Sequence, residues 1–267
     1  MSQSNTDEEY IRIITNPLLS CINYRPRFGT GAGLTLSEFQ RLYQADPFYS
    51  WFGLDSPLMY TAHKAAGGMT SVYRQIGIGC QRLIQRILID TLGLTAEQSI
   101  WSYQIQGTGN KMRTLSLDCR IPIAAIASEN RSLVASWLQA ACQTTGVSIE
   151  VSQILKGAVF EVRQGYKSKD SKRQNADIAN AAAAYSEAYL PVLILLSTQI
   201  DLDVAYRYKN ARWLILYGTI TGSTTDSTYE FFRNVLNYDL AAFFQRHSTR
   251  LKQEVEIVLQ NLLQSNP

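Results

Sequence analysis

Hydrophobic positions change their period several times along the chain, and each change marks a predicted element. Residues 7–20 and 36–45 read as short helices. The strongest helical pattern of the first half lies at 70–92, where Tyr73, Ile76, Cys80, Leu83, Ile87 and Thr91 recur at three- and four-residue steps. Gly77 and Gly79 near its middle either weaken that helix or admit close backbone packing. The period then shortens to two at 99–106, which predicts a strand, and Gly107-Thr108-Gly109-Asn110 reads as a hairpin-like turn. A second strand is expected at 113–121, with Leu115 and Leu117 on one face and Ser116 and Asp118 on the other. A helix at 129–144 ends at Gly146, and 147–151 reads as an extra strand. The pattern continues with a strand at 158–163, a helix from Ser171 to about 189, and a fully apolar buried strand at 191–197. A helix at 201–210, a strand at 212–217 and helices at 226–236 and 239–263 complete it.

This order predicts an α/β fold, a mixed β-sheet flanked by helices on both faces. Hydrophobic residues at 46% and charged residues at 18% are enough for a sizeable core and exclude global disorder. The 267 residues are read as a single domain, with an N-terminal helical part over about 1–95, a core over about 96–220 and C-terminal helices over about 226–263. The net charge of +3 is too small to identify a partner, so local clustering has to do so. Cys21, Cys80, Cys119 and Cys142 are scattered without CxxC spacing, which favours free thiols and a cytoplasmic location over disulfides or structural zinc. The polar, acidic start does not read as a signal peptide, and no apolar run is long enough to span a membrane. Only two histidines, His63 and His247, are present. Chemistry that needs several placed imidazoles is therefore disfavoured, and a carboxylate–metal mechanism is favoured.

The most informative segment runs from Gly157 to Gln174. Strand alternation puts Glu161 and Arg163 on one face and Phe160 and Val162 on the other. A loop follows with Lys167, Lys169, Lys172 and Arg173 set against a single acid, Asp170. Ser171 and Gln174 have capping-box spacing. Basic residues in a first helical turn oppose the helix dipole unless an anion sits there. Arg82 and Arg86, four apart, share a helical face and read either as a solvated stripe or as a surface facing DNA, to which Arg74 is added as a DNA contact. The glycine-rich stretch from Arg27 to Gly33 lacks the GK[ST] ending of a phosphate loop and reads as plain loop.

Hydrolysis of a phosphodiester needs a placed water, a polarised phosphate and relief of charge on the leaving oxygen. Mg²⁺ takes hard oxygen ligands, commonly one or two carboxylates with water and phosphate. If the strands ending at Asp118 and Glu161 pair, their carboxylates converge and the Val162 carbonyl supplies a third oxygen. Arg163 faces the same cleft. Each feature also has a structural reading: a turn acid at Asp118, a cross-strand ion pair of Glu161 with Arg163, and a solvated basic loop.

Asp118 followed by Glu161-Val162-Arg163, a basic capped helix and a buried strand resembles the PD-(D/E)XK nuclease core. The stretches Phe160 to Asp177 and Tyr73 to Cys80 resemble type II restriction endonucleases of the CfrBI/StyI group. The resemblance implies a restriction-endonuclease-like core over about residues 70–220 and Mg²⁺-dependent, sequence-specific cleavage of double-stranded DNA at CCWWGG. It also implies a homodimer on a palindromic site. Asp118, Glu161 and Arg163 would then be catalytic, Asp118, Glu161 and Val162 would hold Mg²⁺, and Arg74, Lys167, Lys169, Lys172 and Arg173 would bind DNA. Arg163 stands where the family has Lys; it keeps its charge, so it serves a phosphate better than it serves as a base. A structure-specific repair or recombination nuclease and a catalytically silent DNA-binding protein are the alternatives. The apolar positions Leu240, Phe243, Phe244, Leu251, Val255, Val258 and Leu259 of the last helix fit a dimer face or ordinary core equally.

Overall fold

Ten α-helices and six strands carry the described chain of this computed structural model, which covers residues 3–29, 31–106, 111–165 and 171–264, with backbone only at 3–5 and 171–177. The chain divides into two compact units, Cys80–Phe244 and Met1–Gly79 with Gln245–Pro267.

In the first of these units, β4 (Gly157–Arg163) and β5 (Tyr189–Leu195) are buried along almost their whole length. They pair in parallel, and β5 pairs in parallel with β6 (Leu214–Leu216). On the other side β3 (Cys119–Pro122) runs antiparallel to β4, which makes a mixed sheet of order β3-β4-β5-β6. Pro191 is tolerated inside β5 because β6 first meets that strand at Val192, beyond it. Gly157 opens β4 with a positive φ of 154°, and a Cβ there would collide with the Ile121 carbonyl of β3.

Alternation splits the β4 side chains between two faces. Val159 joins Leu193 and Leu195 in one cluster, with Ala181 and Ala184 of α7 (Ser171–Ser186) and Val204 and Tyr208 of α8 (Leu202–Asn210). Phe160 points the other way, to Trp137 of α5 (Ser128–Thr145) and Phe231 of α9 (Thr228–Asn234), with ring centroids 6.2 and 6.0 Å away. Helices therefore cover both faces, as the sequence pattern implied.

Three expectations change. The strand expected at 113–121 is two strands: β2 (Met112–Leu117) pairs with β1 (Trp101–Gln106) in a separate ribbon, and β3 belongs to the main sheet, with Asp118 at the break. The proposed turn at 107–110 lies outside the described residues. Residues 147–151 are not a strand but the start of α6 (Ile149–Ile154), because the Ser148 hydroxyl accepts the Val151 N–H and caps a helix. The helix after the basic loop stops at Ser186; Ala188 takes a positive φ of 64° and Tyr189 already belongs to β5. By contrast Gly146 ends α5 in the left-handed conformation expected of it.

The other unit is helical. It contains α1 (Gln3–Leu19), α2 (Leu36–Gln44), α3 (Pro47–Trp51), and parts of α4 (Pro57–Leu92) and α10 (Leu240–Leu263). Leu18, Cys21, Val72, Val258 and Leu262 form its apolar core. Gly79 is a notch for α1: a Cβ there would lie 2.8 Å from the Ile14 carbonyl oxygen. The described residues of the glycine-rich stretch form no helix or strand, and the Phe28 ring packs 4.8 Å from Phe39 and 4.7 Å from His63. Tyr73, assigned to the apolar stripe by spacing, is exposed. No helix among the described residues is long and apolar enough to cross a membrane.

Candidate active site

Asp118 sits where the chain passes from the ribbon to the main sheet. Its N–H donates at 2.9 Å to the carbonyl of Phe160, the residue with which Cys119 already pairs. Asp118 thus adjoins the part of β4 that continues into Glu161 and Val162. The strand has already turned away before it can serve Val162, whose N–H faces the same edge. The Asp118 carboxylate takes over, and Oδ2 accepts the Val162 N–H at 2.7 Å. A buried backbone donor is thereby satisfied by a side chain in place of a strand. Asp118 is thus more than a turn acid: it is fixed onto the strand that carries Glu161.

Glu161 is buried, with 5% of its surface exposed, and forms an ion pair with Arg163 two residues along the same face. The spacing argument placed them together, and the structure brings them into contact. The pair is not an exposed one, since only 12% of the Arg163 side chain and 7% of the Glu161 side chain reach solvent. Breaking such a pair strands a charge at depth. Cys119 reports the local field: burial, then the Asp118 and Glu161 carboxylates, push its thiol well above the ordinary value. Both carboxylates therefore act on one buried atom.

A third participant escaped sequence reasoning. Gln81, half-buried on α4, donates from Nε2 to Asp118 Oδ2 at 3.1 Å and to the Val162 carbonyl at 3.5 Å. Its neighbour Cys80 is fully buried, and desolvation pushes that thiol up to about 12. The polar step from Cys80 to Arg82 in a helix carries no local signal of such a role.

The remaining expectations divide. Arg74 is exposed on α4, in the helical unit. Lys167 and Lys169 lie outside the described residues. Lys172 and Arg173 fall in the first turn of α7, and their side chains lie outside the described residues. Arg86 pairs with Asp90 at 2.8 Å, which supports the solvated reading of the Arg82–Arg86 stripe. In α10, Leu240, Phe243 and Val258 are buried, whereas Leu251, Val255 and Leu259 line an open groove of about 340 Å³ with Lys252 and Glu256.

The donor set suits a hard cation. Asp118 Oδ2 and the Val162 carbonyl oxygen are reached by one amide nitrogen, and Glu161 follows next to Val162. These are the oxygen types Mg²⁺ uses. Among the described residues no group of three or more His, Cys, Asp or Glu side chains converges. Compared with protein-family models, curated proteins and solved structures, the chain matches none.

Proposed function

We propose that this chain is a Mg²⁺-dependent endonuclease of the type II restriction class that hydrolyses double-stranded DNA, with CCWWGG as its site. The observation that supports it most directly is the Asp118 carboxylate held on the amide of Val162, the residue after Glu161. An acid remote in sequence is thereby fixed to the strand that carries Glu161, beside the Val162 carbonyl, and these are oxygen types that metal-assisted phosphodiester hydrolysis uses.

Asp118, Glu161 and the Val162 carbonyl would hold the cation. When bound, Mg²⁺ supplies polarisation of the phosphoryl oxygen and a more acidic water. Arg163, charged at every working pH, compensates charge growing on the phosphate. Water oxygen bonds to phosphorus, one ester P–O bond breaks, and a proton reaches the leaving oxygen. Lys167, Lys169, Lys172, Arg173 and Arg74 serve DNA phosphates, and a homodimer matches a palindromic site.

A second reading is favoured by the buried Glu161–Arg163 pair: a DNA-binding protein without hydrolytic activity, in which Arg163 neutralises Glu161 permanently. Incubating a sequenced plasmid with the full chain and Mg²⁺ decides between them. Discrete fragments ending at CCWWGG are expected. Cleavage confined to branched or flapped substrates would identify a structure-specific repair nuclease instead. Tight duplex binding with no cutting in Mg²⁺ or Mn²⁺ would establish the silent reading.

A further inference from the structure

We propose that the Gln81 amide competes with a divalent cation for the Asp118 and Val162 oxygens, and that it turns away from them for a cation to bind. The inference rests on the metal-binding reading above and adds to it a residue and a displacement step.

A carboxylate oxygen and a carbonyl oxygen that face one another, partly buried, are both acceptors and need something positive between them. Gln81 Nε2 meets that need, at 3.1 Å from Asp118 Oδ2 and 3.5 Å from the Val162 carbonyl oxygen. A single NH₂ group with two hydrogens thus addresses two of the three oxygens assigned to the cation. Val162 N–H approaches the same Oδ2 at 2.7 Å and fixes the carboxylate in place, so the oxygens stay poised whichever group lies between them. The 3.5 Å contact is at the limit of a hydrogen bond and is the easier one to break. Gln81 is neutral, so its departure leaves no stranded charge. A lysine at 81 would compete with the cation permanently, and an acid would add a further oxygen ligand. Gln81 is on this account a placeholder that a cation displaces, while the Val162 N–H keeps the Asp118 carboxylate in place.

Opposite signs separate this role from a purely structural one. If Gln81 merely ties α4 to the sheet, removing it loosens the oxygens and weakens cation binding. If it occupies the cation position, removing it relieves competition. Each net hydrogen bond is worth about two- to tenfold in an equilibrium constant, and water recovers part of it. Titration calorimetry of the full chain with Mn²⁺ should therefore show Gln81→Ala binding about three- to tenfold more tightly than the parent. Gln81→Glu should bind at least about tenfold more tightly, through the added carboxylate. Should Gln81→Ala fail to fold by circular dichroism, Gln81→Met, of similar length but without a donor, takes its place with the same expected direction. Unchanged or weaker Mn²⁺ binding in the folded variants, with the parent binding and Asp118→Ala not, overturns the proposal and leaves the metal site standing. A parent that binds Mn²⁺ no better than Asp118→Ala overturns the metal site and this inference together.

Discussion

Glu161 and Leu193 are direct partners in the parallel pairing of β4 with β5, and both are buried. Leu193 packs in the cluster that joins the sheet to α7 and α8. Glu161, at the same level of the sheet, is ion-paired to Arg163. A buried ion pair is weak support for a fold, since apolar residues of similar volume often do as well or better. Equal depth therefore conceals unequal roles: the position on β5 serves packing, and the position on β4 holds a buried ion pair that packing alone does not require, as the proposed chemistry would.

The largest expected effect tests the chemical half of that contrast. Asp118→Asn and Glu161→Gln should each lower single-turnover cleavage by about three orders of magnitude, with near-parental circular dichroism. Parental cleavage in either variant would remove that residue from the site. Next, Leu193→Ala should cost about 2–5 kcal/mol in urea denaturation, while the folded fraction cuts at the parental rate. Specific loss of metal-dependent cleavage in folded Leu193→Ala would break the contrast. The double change Glu161→Leu with Arg163→Met should be neutral or stabilising by about 1–4 kcal/mol and inactive. Clear destabilisation would mean that the pair holds the sheet together.

A third carboxylate calibrates the other two and carries the smallest effect. Asp7, in the helical unit, accepts from Arg246 at 2.8 Å and His247 at 3.1 Å. Burial raises its carboxyl, but the bonds from His247 and Arg246 outweigh burial and hold it below the ordinary 3.8. A depressed acid stabilises the fold above its unfolded value and loses that contribution as pH falls through the folded one. The melting-temperature deficit of Asp7→Asn should thus be full at pH 5 and shrink below about pH 4. A deficit that persists at low pH would place the Asp7 contribution in packing.

What was legible in the sequence follows from the range of each interaction. Apolar patterning found β4 and β5 as short, almost wholly buried runs, and α5 and α10 as helical segments with a buried stripe. Alternation put Glu161 beside Arg163. It could not show that the strand holding Asp118 breaks there, since Leu115, Leu117 and Cys119 continue one pattern across two sheets. Residues 147–151 alternate like a strand, but a local cap at Ser148 decides for helix. Gln81 was illegible because both its partners lie far along the chain, on β3's threshold and on β4.

Cys119 gives this sheet edge a chemical clock. Its side chain is fully buried, and its thiol is held protonated by burial and by two neighbouring anions. Thiol reagents react with the thiolate, so the native state is silent towards them. Modification has to wait until β3 lifts from β4 and exposes the sulfur, and its rate then follows the population of that opening. Peptide mapping separates Cys119 from the equally buried Cys21, Cys80 and Cys142. Labelling of Cys119 thereby times how often β3 parts from β4.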